Sequence, residues 1–425
     1  MAIDYRSLIR GSRINGRLYR DPAVFADEEN LLWSRVWVYV GHESEVGQPG
    51  DFVRRRIGSQ PVIMVRAHDG SVRVFFNRCR HRANLVCHEN RGNAAVFKCP
   101  YHAWTYKTTG ELIAPTFESG YDERLQRSDF ALTPLPRVDA YRGLVFASAS
   151  PSGISLAEHL GGITEYIDLF MDLSPTGEIA LTAGMQSLRY QGNWKMMPEN
   201  SMEGDYHGPF LHRMAFEFHS RRTGLDITTL RNDDVPDVIR YVPGGHMVED
   251  YRKAKFAPPA RPPSPARTAY AAQMEARYGP ERAHALMTTT APLIYIFPNL
   301  IYVMTHLRVV QPISAEETFV YAHPVMLAGA PSEINEERLR MHEFMFGPAG
   351  FIQPDDLEIM ERNQVALDAQ GNDWLFVGRG DHRDQELADG GSIGYTMDEN
   401  HIRGFWKYYG DLMTAGTREP ALRGR

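Results

Sequence analysis

NRCRHRA (Asn77–Ala83) and KCPYHAWTY (Lys98–Tyr106) are the two stretches on which the reading of this chain turns. The first carries Cys79 and His81, the second Cys99 and His102, and seventeen residues separate His81 from Cys99. Each stretch therefore offers one thiolate and one imidazole. Zinc fingers generally set Cys beside Cys and His beside His, so mixed pairs weigh against a zinc knuckle. Two matched short spacings also weigh against unrelated core cysteines. Cys87 and His88 lie between the stretches without a matching pair, and Cys87 is expected to be a buried, inert thiol.

One centre has the complementary demand. In a Rieske [2Fe–2S] cluster two thiolates hold one iron and two imidazoles hold the other, so two loops that each supply one of each clasp it from both sides. The surrounding sequence suits such a scaffold. DFVRRRI (51–57), PVIMVRAHDGSVRVFF (61–76), AAVFKC (94–99) and YRGLVFAS (141–148) are short β-like runs, with His68, Asp69 and Gly70 as a hairpin turn. A small, mostly antiparallel β domain is expected over residues 38–150.

Beyond Pro151 the pattern changes. ISLAEHLGGITEYIDLF (154–170) has apolar residues at helical spacing, and LIYIFPNLIYVMTHLRVV (293–310) reads as sheet. Residues 1–37 and 151–425 are expected to form a second, α+β domain. Phe256–Pro265 holds five prolines and precedes the helix-favouring AYAAQMEARYGPERAHALM (269–287), which reads as a loop plus flap.

A second constellation lies in QGNWKMMPENSMEGDYHGPFLHRM (191–214), where Glu199, Asn200, Glu203, Asp205, His207 and His212 fall within fourteen positions. His207 and His212 are five apart, about 140° around a straight helix, so sharing one metal requires a break. Pro209 is the expected breaker. Two histidines and one carboxylate make a facial triad that leaves positions open on iron(II).

The chain has 425 residues, 43% hydrophobic and 23% charged, which excludes a largely disordered protein. With 46 basic and 53 acidic side chains its formal charge is -7, which gives no footprint for nucleic acid or an anionic membrane. A small molecule is the default partner. Three cysteines make no disulfide framework, and neither an export signal nor a run of 18 apolar residues is present, so a cytoplasmic location is expected.

The two cluster loops, the NWK lead-in (Asn193–Lys195) and FGPAGFIQPDDLEIMERNQ (346–364) resemble the Rieske non-haem iron aromatic ring-hydroxylating oxygenases, large (α) subunit. The resemblance implies an N-terminal β-rich Rieske domain and a catalytic domain with a central antiparallel sheet flanked by helices. It implies that Cys79 and Cys99 bind one iron of the cluster, that His81 and His102 bind the other, and that Trp104 covers it. Ala83 stands where the family commonly has glycine. His207 and His212 would be joined on the mononuclear iron by Asp356, the second acid of its pair, with Asp355 as the alternative. Relatives place an acid three residues before the first iron histidine, where this chain has Gly204; Glu203 and Asp205 flank it and, with Asn200, are the candidate catalytic residues.

The activity so implied is that of a terminal oxygenase, in the EC 1.14 class, which hydroxylates an aromatic substrate, foremost by dioxygenation. The alternatives are a Rieske-type monooxygenase or demethylase acting on an amine or methoxy substrate, and an electron carrier with a vestigial second site. The implied partners are a ferredoxin or flavin reductase fed by NAD(P)H, for which this chain has no Gly-rich dinucleotide fingerprint of its own. A small β subunit and a trimer, α3 or α3β3, complete the expected assembly. Phe210, Phe216, Ile294, Met304, Phe346 and Ile352 are candidates for an apolar pocket, and Arg308 with His306 for a substrate carboxylate.

Overall fold

A computed structural model describes residues 3–122, 124–223, 235–252, 262–289 and 291–416. The chain divides into two units, Trp33–Leu156 and Met1–Leu32 together with Ala157–Arg425. The first unit is built of three small antiparallel sheets. Val72–Phe76, Gln60–Arg66 and Asp51–Ile57 form a meander, with Arg91–Asn93 added at its edge. Gly70 turns the hairpin in the left-handed region (φ 85°), and Asp69 Oδ1 accepts from the Ser71 amide at 3.0 Å, an Asx turn that explains why this tripeptide reverses the chain. Val96–Lys98, Thr105–Lys107 and Leu112–Ala114 make the second sheet, and Arg137–Tyr141, Leu144–Ser148 and Val38–His42 the third. The 141–148 run is thus a turn at Arg142 and Gly143 followed by a strand. Phe52, Ile63, Val65, Phe75, Phe97 and Leu112 form the core beneath the two cysteine loops.

The second unit is organised on a nine-stranded antiparallel sheet. Its order runs Gln186–Tyr190, Glu317–Pro324, His306–Ser314, Leu300–Val303, Leu293–Ile296, His246–Glu249, Ile239–Val242, Ser392–Gly394 and Gln385–Glu386. The apolar run at 293–310 supplies three of these strands, all buried up to Val310, which is why it shows no alternation. The stretch at 269–287 is two helices, Pro265–Tyr278 and Pro280–Thr288, divided where Gly279 takes φ 79° and Pro280 opens the next helix. Residues 253–261, most of the proline-rich loop, lie outside the described residues. Among the described residues no helix is long and apolar enough to cross a membrane.

The NWK segment has a structural task in this unit. Glu28 is fully buried and receives Trp194 Nε1 (2.9 Å), Lys195 Nζ (2.6 Å) and the Tyr409 hydroxyl (2.6 Å). One carboxylate thereby ties the helix Pro22–Glu28 to the lead-in of the histidine segment and to the helix Asn400–Gly416. Removing one partner of a buried pair strands the other charge. Glu28→Ala is therefore expected to destabilise the fold by about 3–5 kcal/mol, whereas the double change Glu28→Met with Lys195→Met costs far less. Denaturant unfolding of the two variants checks this, and equal losses would overturn it.

Candidate metal centres

Both cysteine loops close in the same way. The Cys79 amide donates to Asn84 O (2.8 Å) and the Ala83 amide to Cys79 O (3.1 Å); the Cys99 amide donates to Trp104 O (2.9 Å) and the Ala103 amide to Cys99 O (2.9 Å). The residue four past each cysteine is left-handed, Ala83 at φ 60° and Ala103 at φ 56°. Alanine at 83 therefore keeps the turn that glycine would adopt freely, at a strain of about 1–2 kcal/mol. The first loop is further held by Asn77, whose amide receives the backbone of Val86 and Cys87 (2.9 Å each) and donates to Cys87 O (2.7 Å).

The four side chains converge. The Cys79 and Cys99 thiols are both buried, and burial, with Cys79 adding to it, pushes the Cys99 thiol up. The His81 and His102 rings lie 4.7 Å apart at 64°. His81 Nδ1 is buried with no hydrogen-bond partner among the described residues. Trp104 stacks on His81 at 4.8 Å and 5°, and the Tyr106 hydroxyl lies 3.2 Å from Cys79 Sγ. Cys87 is buried apart from this set, against Glu89 O, and burial pushes its thiol up to about 11.

The second centre is in the other unit. The helix Gly204–Leu211 carries through Pro209 and is interrupted at His212, three residues later than expected, before the helix Arg213–Thr223 begins. Proline removes a single backbone donor there, and the ladder resumes with the His212 amide on Gly208 O (3.0 Å). His212 sits at the junction (φ -96°, ψ 22°), which lets its ring swing back to 5.1 Å from His207.

Asp356 completes the set from the first turn of the helix Gln353–Ala366, where Pro354 and the acid pair suit a helix N-terminus. Its Oδ1 lies 3.5 Å from His207 Nε2 and 3.0 Å from His212 Nε2. One donor atom from each of the three residues falls within 4.8 Å of the others. Burial alone would raise the Asp356 carboxyl, but His207, His212 and the Arg308 charge hold it well below the usual range. Asn200 Nδ2 donates to the same oxygen at 3.1 Å.

The far nitrogens of both histidines also face acids. Glu203 Oε1 is 3.8 Å from His207 Nδ1, and Asp355 Oδ2 is 3.6 Å from His212 Nδ1. Asp355 is half exposed and stands behind a histidine, away from the donor set. The side chain of Asp205 lies outside the described residues. A cavity of about 100 Å³ beside His207 is lined by Asn200, Glu203, Leu211, Met360 and Asn363. Glu199, also in its lining, is held by Tyr19 (2.8 Å) and Trp406 (2.6 Å), and burial raises it to about 7. Of the pocket candidates, Ile294, Phe346 and Ile352 are buried, while Phe210 is 73% exposed.

Both donor sets fit the groups their chemistry calls for: paired thiols and paired imidazoles for a [2Fe–2S] cluster, and two imidazoles with one carboxylate for iron(II). Comparison with known proteins agrees. The family described as "Rieske [2Fe-2S] domain" matches residues 36–122, and "Ring hydroxylating alpha subunit (catalytic domain)" matches 178–415. The 2-halobenzoate 1,2-dioxygenase large subunit of Burkholderia cepacia is 32% identical, over 85% of this chain and 79% of its own. Naphthalene 1,2-dioxygenase from Rhodococcus sp., solved with indole bound, superposes with a TM-score of 0.82 at 25% identity, covering 97% of both chains. A quaternary ammonium Rieske monooxygenase superposes less well, with a TM-score of 0.67 at 19% identity, and shares the fold alone.

Proposed function

This chain belongs to the ring-hydroxylating α-subunit family, with a Rieske [2Fe-2S] domain ahead of its catalytic domain, and from that premise we propose that it is the terminal component of an aromatic ring dioxygenase. One observation carries the reading: His207, His212 and Asp356 converge within 4.8 Å in a chain that also carries the two thiol–imidazole loops. Cys79, Cys99, His81 and His102 would hold the cluster, and His207, His212 and Asp356 the mononuclear iron. When bound, the cluster supplies electrons singly and iron(II) with open positions activates dioxygen. Both oxygen atoms are added to the ring, with two electrons and two protons.

The chain's own residues prepare that chemistry. Glu203 and Asp355 stand 3.8 and 3.6 Å from the Nδ1 atoms of the two histidines, so small side-chain movements would let them accept from Nδ1–H and leave Nε2 free as a donor atom. Asn200 donates to Asp356 Oδ1 and so limits how that carboxylate turns. In the other centre the Tyr106 hydroxyl is placed to donate to Cys79 once the thiol is deprotonated. A ferredoxin or flavin reductase fed by NAD(P)H is proposed as electron donor, with a small β subunit and a trimer, α3 or α3β3, in which one protomer's cluster serves its neighbour's iron. The large-subunit naming of the relative supports this assembly. Three free thiols suit the reducing cytoplasm.

The purified protein is expected to be brown, to give the low average g value of mixed His/Cys ligation when reduced, and to hydroxylate arenes with a surrogate reductase. His81→Cys or His102→Cys should alter or abolish the signal. A colourless zinc protein, or an intact cluster and iron with no arene hydroxylated in a broad screen, would overturn the proposal.

A further inference from the structure

We infer that Arg308 is a binding site for the carboxylate of an aromatic acid substrate, an inference that rests on the oxygenase reading of the same centre. Arg308 is 2% exposed, on the buried strand His306–Ser314, and no carboxylate pairs with it among the described residues. Its Nε donates to His306 Nε2 (3.1 Å), and its Nη1 donates to Ser201 Oγ (2.9 Å) and to Met197 Sδ (3.7 Å). Among the described residues Nη2 has no hydrogen-bond partner. What remains open is Nη2, whose two hydrogens are the donors left for the oxygens of a carboxylate.

The acid whose charge reaches Arg308 is Asp356, and Asp356 is already committed to His207 and His212. A divalent ion held by those three residues takes up that negative charge, and the guanidinium is left in the interior without a counter-ion. A buried charge in that state is costly, so an anionic ligand is the missing partner. The location fits. Ser201, which holds Nη1, follows Asn200 on one helix, and Asn200 holds Asp356, so guanidinium and ligand triad share a supporting element.

The rest of the cluster selects what the anion is attached to. The Phe346 ring centroid lies 5.3 Å from the guanidinium carbon, and the His306 ring packs against Phe346 (4.6 Å) and His342 (4.7 Å). His342 is fully buried, and neither of its ring nitrogens has a hydrogen-bond partner among the described residues. Burial, reinforced by Arg308, holds His342 down to about 4 and His306 well below its usual value. Both are disfavoured as cations, which leaves Arg308 as the cation among Arg308, His306 and His342. That suits a singly charged carboxylate on a flat ring better than a dianionic phosphate.

Equilibrium binding to the iron-loaded holoenzyme tests this with benzoate and its neutral analogue benzamide. Benzoate is expected to bind about 30-fold or more tightly than benzamide, the scale for a desolvated charge pair. Arg308→Met should erase that ratio, and Arg308→Lys should retain part of it. Equal affinities in the wild-type protein, or an unchanged ratio in Arg308→Met, would overturn the site. Should Arg308→Met fail to fold, the wild-type ratio and Arg308→Lys still decide. A protein that hydroxylates neutral arenes yet shows no preference for benzoate sinks this inference alone. One that binds benzoate through Arg308 yet hydroxylates nothing sinks the oxygenase reading and leaves the carboxylate site standing.

Discussion

Asp356→Ala, His207→Ala and His212→Ala should each lose the mononuclear iron and all product, while the absorption and EPR spectra of the [2Fe–2S] centre remain those of the wild type. The two centres are built in separate units of the chain, so damage to one donor set leaves the other intact. Within the catalytic unit the three donors come from different elements: His207 from the helix Gly204–Leu211, His212 from the junction after it, and Asp356 from the helix Gln353–Ala366. Removing any one leaves two donors and an unfilled position, too few to hold iron(II) against solvent.

Asp355→Asn provides the scale. As the acid behind His212 rather than a donor atom, its loss is expected to cost roughly 10–100-fold in iron affinity or turnover, the usual effect of an orienting partner. Iron per chain and turnover, measured together, separate the two cases. Normal iron and turnover in Asp356→Ala would move the assignment to Asp355.

Side-chain type and spacing made much of this legible from the sequence. Mixed Cys and His pairs survive as a signal because a cluster needs those donors whatever the fold around them, and the loops Cys79–Ala83 and Cys99–Ala103 close alike. The apolar run 293–310 marked the middle of the main sheet for the same kind of reason: strands buried on both faces have nothing polar to show. What stayed hidden depends on contacts between distant segments. Glu28 meets Lys195 across 167 positions, and no local pattern announces a lone acid as a partner for a buried lysine. Arg308 is a carboxylate candidate in the sequence, but that no acid pairs with it is visible only once Ser201, His306 and Phe346 are seen around it. The break expected at Pro209 falls at His212 instead, because the one donor that proline lacks costs a short helix a single bond and does not stop it.

The acid behind His207 carries the last large effect. Glu203→Gln is expected to keep both metals and bind substrate, yet to slow reoxidation of the reduced cluster by orders of magnitude. Glu203 stands at the N-cap of the histidine helix, its carbonyl receiving the amides of Tyr206 (2.9 Å) and His207 (3.2 Å), which fixes its backbone four residues before the histidine. Its carboxyl is directed at His207 Nδ1, a buried nitrogen with no hydrogen-bond partner among the described residues, at a distance that a small side-chain movement closes. Burial, together with the neighbouring Glu199, Glu399 and Glu249, raises its carboxyl well above the usual range, which favours the protonated acid. Glutamine keeps the shape and removes the acid that can gain or lose a proton beside that imidazole, which makes Glu203 a positioning residue acting through His207. Stopped-flow single turnover distinguishes this from mere structural support: iron content and benzoate affinity stay constant while the reoxidation rate collapses, and Glu203→Asp recovers part of it. Asp205→Asn, run alongside, is expected to reoxidise close to the wild-type rate. Unchanged reoxidation in Glu203→Gln with a collapse in Asp205→Asn would hand the role to Asp205.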